Sequence, residues 1–172
     1  LEANAFALGL GKLITSITMT IFYVILYFIL EGVWQPNKKW KLGGRITLYA
    51  LTALRILLCA FPQNEWFSYE GNLLWGILRN IPFALMGIGI IVICFTIAKQ
   101  NKDKSYAIMA VMVILSFGFY IPVVLFAGVL PIIGILMIPK TLAYVGVVVI
   151  GLLKHRKAVR SVQTAGKVTA DI

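Results

Sequence analysis

Five runs of apolar residues, each long enough to cross the hydrocarbon core of a bilayer, leave this chain little choice of fold: Ala5–Val33, Leu42–Phe61, Asn72–Ala98, Tyr106–Phe126 and Ile132–Leu153. A membrane helix needs about 20 apolar residues, whereas a membrane β-strand needs about 9–11 in strict alternation. Stretches such as Met86–Ile97 do not alternate. The expected fold is therefore all-α, a polytopic bundle of about five transmembrane helices. Composition agrees: 60% hydrophobic and 13% charged residues, with mean hydropathy +0.93, lie well outside the range of soluble domains. The first and third runs exceed the bilayer thickness, so tilts or kinks are expected at Gly9, Gly11 and Pro82.

Domain organisation follows from the same pattern. Residues 1–153 form the helical bundle and residues 154–172 a basic tail. Short cytoplasmic connections concentrate Lys and Arg. Lys38, Lys39, Lys41 and Arg45 fill the first connection, Lys99, Lys102 and Lys104 the third, and Lys154, Arg156, Lys157 and Arg160 open the tail. The alternate connections, Pro62–Gly71 and Gly128–Pro131, carry Glu65 and Glu70 and no base. This asymmetry predicts the N-terminus outside, the C-terminus inside and a multi-pass protein of the plasma membrane. Leu1 is not an initiator methionine, and the first run lacks a basic n-region, so it reads as a retained helix with residues expected upstream.

The formal charge of +10 comes largely from these flanks and is not a nucleic-acid signature, which would need a basic stripe interleaved with stacking aromatics on a soluble face. Membrane lipids are the expected neighbours, and self-association or packing on a larger membrane partner stays open.

Polar residues fall in stripes. Lys12, Ser16, Thr20, Tyr23, Tyr27 and Glu31 recur every three or four positions, placing them on one face of the first helix. The second helix repeats the pattern with Arg45, Tyr49, Thr52, Arg55 or Ile56, and Cys59, and shorter stripes hold Ser116 with Tyr120 and Lys140 with Thr141 and Tyr144. Such faces are expected to point into the bundle. Hydroxyls there can simply join helices. Tyrosines at mid-membrane are harder to explain that way, because interfacial tyrosines belong at headgroup level.

Four bases interrupt the apolar runs: Lys12, Arg55, Arg79 and Lys140. An ionisable group at such depth is a functional-site hypothesis by default. Counting inward at 1.5 Å per residue puts Arg55, Arg79 and Lys140 at a common depth of about 9–12 Å from the acidic side. No acidic residue is placed to neutralise them. Independent snorkelling to the outer headgroups is the rival explanation. The shared depth favours one basic layer that binds, and could translocate, an anionic small molecule or lipid, with Arg55 and Arg79 as forked donors, Lys140 as a point charge, and Asn80, Tyr120 and Tyr144 orienting the ligand.

Other chemistry is restricted by supply. The single histidine, His155, lies in the tail, so no His-containing metal site or Ser-His-Asp arrangement is expected in the bundle, and no cofactor is implied. Glu31 is the one carboxylate clearly near a span, with Arg45 its expected partner. Cys59 and Cys94 sit near opposite helix ends, too far apart for a disulfide. Catalysis is disfavoured without being excluded. The alternative function is a membrane-embedded sensor input module or accessory subunit.

Overall fold

The computed structural model describes residues 2–66, 72–126 and 130–170, with side chains over 6–157 of these ranges except at 8 and 131. Five α-helices run in order: α1 (Glu2–Trp34), α2 (Lys38–Ala60), α3 (Leu73–Gln100), α4 (Lys104–Phe126) and α5 (Met137–Ala170). Short 3-10 turns, Pro62–Asn64 and Pro131–Leu136, precede α3 and α5. There is no strand among the described residues. Each of the five helices is long and apolar enough to cross a membrane, the architecture of a multi-pass membrane protein. Glu70, much of the Pro62–Gly71 connection and most of the Gly128–Pro131 turn lie outside the described residues.

The helices end where the chain can supply local partners. Gln35, Glu65 and Lys102 take positive φ values of 47°, 46° and 51°, each just past a helical segment, the left-handed step that closes a C-terminus. Asn72 starts α3, its Oδ1 accepting from the Leu74 and Trp75 amides at 3.1 and 3.4 Å.

Packing is inverted relative to a soluble domain. Ile14, Ile17, Ile21, Ile25 and Ile29 form an outward stripe on α1, and Ile138, Leu142, Val145, Val149 and Leu152 one on α5. Apolar stripes of that length on the exterior are lipid-facing surface. The opposite face of α1 buries Tyr23, Tyr27 and Leu30 in one core with α3 residues Phe83, Met86 and Ile90, and Thr20 and Glu31 are buried on the side of α2. Helix α3 is central and packs on α1, α2 and α4, while α5 packs on α4.

The range of α1 includes Gly9 and Gly11, and α3 carries Pro82 in its interior. Pro139 falls in the first turn of α5, where the missing amide hydrogen has no helical acceptor to lose. The first five residues of the fifth run belong to the 3-10 turn Pro131–Leu136 ahead of α5, which rises faster per residue than an α-helix, so the depth counted for Lys140 along a uniform α-helix does not apply. Helix α5 continues from its apolar span through Lys154 to Ala170.

Candidate functional site

Three of the four bases converge between α2, α3 and α5, and each is met by an aromatic ring. The Arg55 guanidinium carbon lies 3.9 Å from the Phe83 ring centroid, Arg79 lies 4.0 Å from Trp66, and Lys140 Nζ lies 3.6 Å from Tyr120. Arg55 interacts electrostatically with both Arg79 and Lys140, and Lys12 with Arg79. Arg55 and Lys140 are each 2% exposed. Among the described residues no carboxylate pairs with any of the four; the ion pairs are Lys41 and Arg45 with Glu31, and Lys154 with Asp103.

The second stripe is rotated from its expected setting. Leu48, Arg55 and Cys59 are its buried positions, and Tyr49, at 55% exposure, faces outward against the edge of Phe28. An α-helix advances about 100° per residue, so a face centred on 48, 55 and 59 carries 52 near its edge and turns 49 away. Thr52 keeps a buried hydroxyl without a hydrogen-bond partner among the described residues.

Arg79 is held by the connection that follows α2. Asn64, 3% exposed, donates from Nδ2 to the Leu58 and Phe61 carbonyls at 2.7 and 2.8 Å, while its Oδ1 accepts from Arg79 Nη1 at 3.1 Å. Trp66 Nε1 donates to the Cys59 carbonyl at 3.0 Å and lays its ring over the same guanidinium. Two side chains thus satisfy terminal carbonyls of α2 and clamp Arg79 in the same contacts. Neither Asn64 nor Trp66, nor Phe83 under Arg55, stands out in the sequence, since an aromatic or amide near a membrane helix end has commoner roles. The available signal is numerical: deep bases without acids require another class of partner, and aromatic faces supply it.

Lys140 connects to a second set of groups. Among the described residues its hydrogen-bond partner is Met137 Sδ at 3.9 Å. Tyr120 donates to Asn80 Oδ1 at 2.8 Å, and Asn80 Nδ2 donates to the Gly76 carbonyl at 2.7 Å. Tyr144 lies 6.0 Å from the lysine and shares a 3.1 Å hydroxyl contact with Tyr23. Ser116 lies beside Tyr144, yet its buried hydroxyl makes no geometrically sound hydrogen bond. Tyr23 is fully buried among Phe83, Phe117 and Tyr144, so this level of the stripe is packed ring against ring.

Arg55 is the charged group whose buried nitrogens are left without hydrogen bonds among the described residues, beside the hydroxyls of Tyr27, Thr52 and Ser116. Its Nε and Nη1 are buried without a hydrogen-bond partner among the described residues. It also borders a cavity of about 150 Å³ between α1 and α2, lined by Leu13, Ser16, Ile17, Thr20, Ile56, Cys59 and Ala60. The Thr20 hydroxyl donates to the Ser16 carbonyl at 2.8 Å, so its oxygen can still accept. Of the stripe, the structure brings Ser16, Thr20 and Arg55 to this cavity. It places Lys12 half-buried near Arg79, and Tyr27 at a larger cavity towards the other end of the bundle. Among the described residues no three His, Cys, Asp or Glu side chains are grouped to hold a metal. Cys59 and Cys94 are both free and buried.

At that opposite end, Glu31 accepts from Arg45 Nε at 3.0 and 3.1 Å and Nη2 at 2.9 Å, with Lys41 Nζ 3.4 Å away. The expected pair is present, with a second cation. No family model, curated protein or solved structure matches this chain.

Proposed function

We propose that the protein binds an anionic group, a phosphate or carboxylate of a small molecule or lipid, at Arg55 in the half of the bundle away from the basic connections. The carrying observation is the pair of unpartnered, buried guanidinium nitrogens beside the α1–α2 cavity. Magnitudes support it. Burying a charge costs several kcal/mol after relaxation, whereas a desolvated cation–π contact returns about 2 kcal/mol or somewhat more. Phe83 alone leaves Arg55 under-compensated, and an anion closes the difference with bidentate hydrogen bonds. Whole small molecules occupy pockets of roughly 300–1,000 Å³. A cavity of about 150 Å³ therefore suits one anionic group, with any apolar remainder in the surrounding bilayer. Arg79 and Lys140 contribute field more than contact, since each already has its own ring. Translocation needs the Tyr23 layer to open.

The proposed orientation keeps the basic connections and the start of the tail on the cytoplasmic side of the plasma membrane, N-terminus outside, so the Arg55 site faces the outer leaflet. The test is thermal melting of the purified protein in neutral detergent, titrated separately with inorganic phosphate and with phosphatidylglycerol. Wild type should be stabilised by one of them and Arg55→Gln by neither. An equal shift in both proteins, or none in wild type, removes the proposal. A second reading rests on α5, which runs 34 residues to Ala170 and extends past its apolar span. Such a helix could carry a signal to, or dock on, a partner, as a sensor input module or accessory subunit requires.

A further inference from the structure

The larger cavity is remote from the basic layer. About 590 Å³ opens between α2 and α3 at the end of the bundle that carries the basic connections. Its walls are apolar: Leu48 and Leu51 from one helix, Met86, Ile90 and Ile93 from the other. Glycine makes the space. A Cβ added at Gly43 or Gly89, both lining residues, would meet nothing within 4 Å. Gly44 is different, because Tyr27 packs its hydroxyl against it and so closes the floor. The mouth carries Trp34, Trp40 and Lys39, with Lys38 adjacent in sequence. Lys41 and Arg45 are already committed to Glu31, whereas Lys39 and Lys38 have no ion-pair partner among the described residues.

We infer that this groove is a binding site for one anionic phospholipid, an acyl chain lying between α2 and α3 and the headgroup phosphate at Lys39. Three features select that occupant. The volume falls in the range of ligand pockets, and the walls offer a chain apolar contact along more than two helical turns of α2. Tryptophans sit at the mouth, where amphipathic rings mark the membrane–water interface. The free charge at that mouth is positive, which favours an anionic headgroup over a zwitterionic one, whose choline cation offsets the attraction of its phosphate. The site does not involve Arg55 and stands apart from the function proposed above.

The experiment reconstitutes the full chain into nanodiscs of equal phosphatidylglycerol and phosphatidylcholine and counts retained lipid by native mass spectrometry. With the outer site removed by Arg55→Gln in every protein compared, the groove should retain one phosphatidylglycerol in preference to phosphatidylcholine by roughly fivefold for the single lysine. Lys39→Gln should abolish the preference while still retaining a lipid. Gly89→Leu fills the groove and should retain neither, and Gly43→Leu does the same from the facing helix if the first variant folds poorly. Arg55→Gln should keep the groove lipid, which separates this site from the outer one. Retention unchanged in both glycine variants overturns the inference. So does equal retention of the two lipids by the Arg55→Gln protein, or a lipid-free dimer that the glycine variants dissociate, which would make the groove a self-association surface.

Discussion

The Arg55 guanidinium carbon lies over Phe83, 3.9 Å from the ring centroid, with both residues buried and on neighbouring helices. The pair fastens α2 to α3 at the point where charge is least compensated. Replacing Phe83 by Leu keeps apolar volume and removes the ring quadrupole. A double-mutant cycle of Phe83→Leu with Arg55→Gln, read by thermal melting in detergent, should give a coupling of about 0.5–2 kcal/mol. Additive effects would mean that the stacking is incidental.

The basic layer should also be coupled through its ligand. If Arg55 and Arg79 share the field of one anion, the anion-induced melting shift in an Arg55→Gln, Arg79→Gln cycle should show a coupling of about 0.5–3 kcal/mol. Arg79→Lys should weaken the Asn64–Trp66 clamp, because an ammonium lacks the planar stacking surface. A coupling of zero would return each base to independent snorkelling.

Burial is unequal in the other ion pair. The Glu31 side chain is 3% exposed and that of Arg45 43%. Removing Arg45 strands a buried carboxylate on Lys41 alone, while removing Glu31 frees cations that can reach headgroups. Arg45→Gln should therefore lower the melting temperature more than Glu31→Gln, and the double variant should recover part of the loss. The reverse order would show that Glu31 has a role beyond holding α1 to α2.

Part of the acid sensitivity should reside at the α3–α4 connection, beside that of the Glu31 ion pairs. The Lys154 ammonium, followed by the Ser105 amide, holds the Asp103 carboxyl below the ordinary aspartate value of 3.8. A carboxyl depressed in the folded state contributes full stability above its unfolded value and loses that contribution as pH falls through the folded one. Melting temperatures recorded from roughly pH 5 to pH 2.5 should fall in wild type, and Asp103→Asn should flatten that part of the profile. An unchanged slope in the variant would place the acid sensitivity elsewhere.

Two glycines on α3 should respond oppositely to alanine. A Cβ at Gly87 would collide with the Phe117 ring of α4, whereas one at Gly89 meets nothing within 4 Å. Overpacking costs about 1–3 kcal/mol and the gain in helix propensity returns about 1 kcal/mol. Gly87→Ala should be neutral to destabilising by up to about 2 kcal/mol, and Gly89→Ala neutral to slightly stabilising, by melting in detergent.

Residue order alone determined the class of this molecule. The apolar runs are long enough that only helices satisfy their backbone in lipid, so five spans, the Glu31–Arg45 pairing across a short connection, and the unpaired state of Cys59 and Cys94 were all legible. Local charge pattern was equally plain, since it needs no knowledge of helix rotation. Tertiary structure decided which side chains meet. Tyr49 turned outward because its helix buries the face of Leu48, Arg55 and Cys59, a rotation that is set by packing against the neighbouring helices and that the polar stripe alone does not encode. Arg79 and Arg55 found Trp66, Asn64 and Phe83 because compensating a cation with a ring or an amide is a matter of spatial proximity between different elements, and nothing in sequence spacing specifies it. The two cavities are likewise differences between packed volumes, set by where Gly43, Gly89 and the α1–α2 contact fall relative to their neighbours.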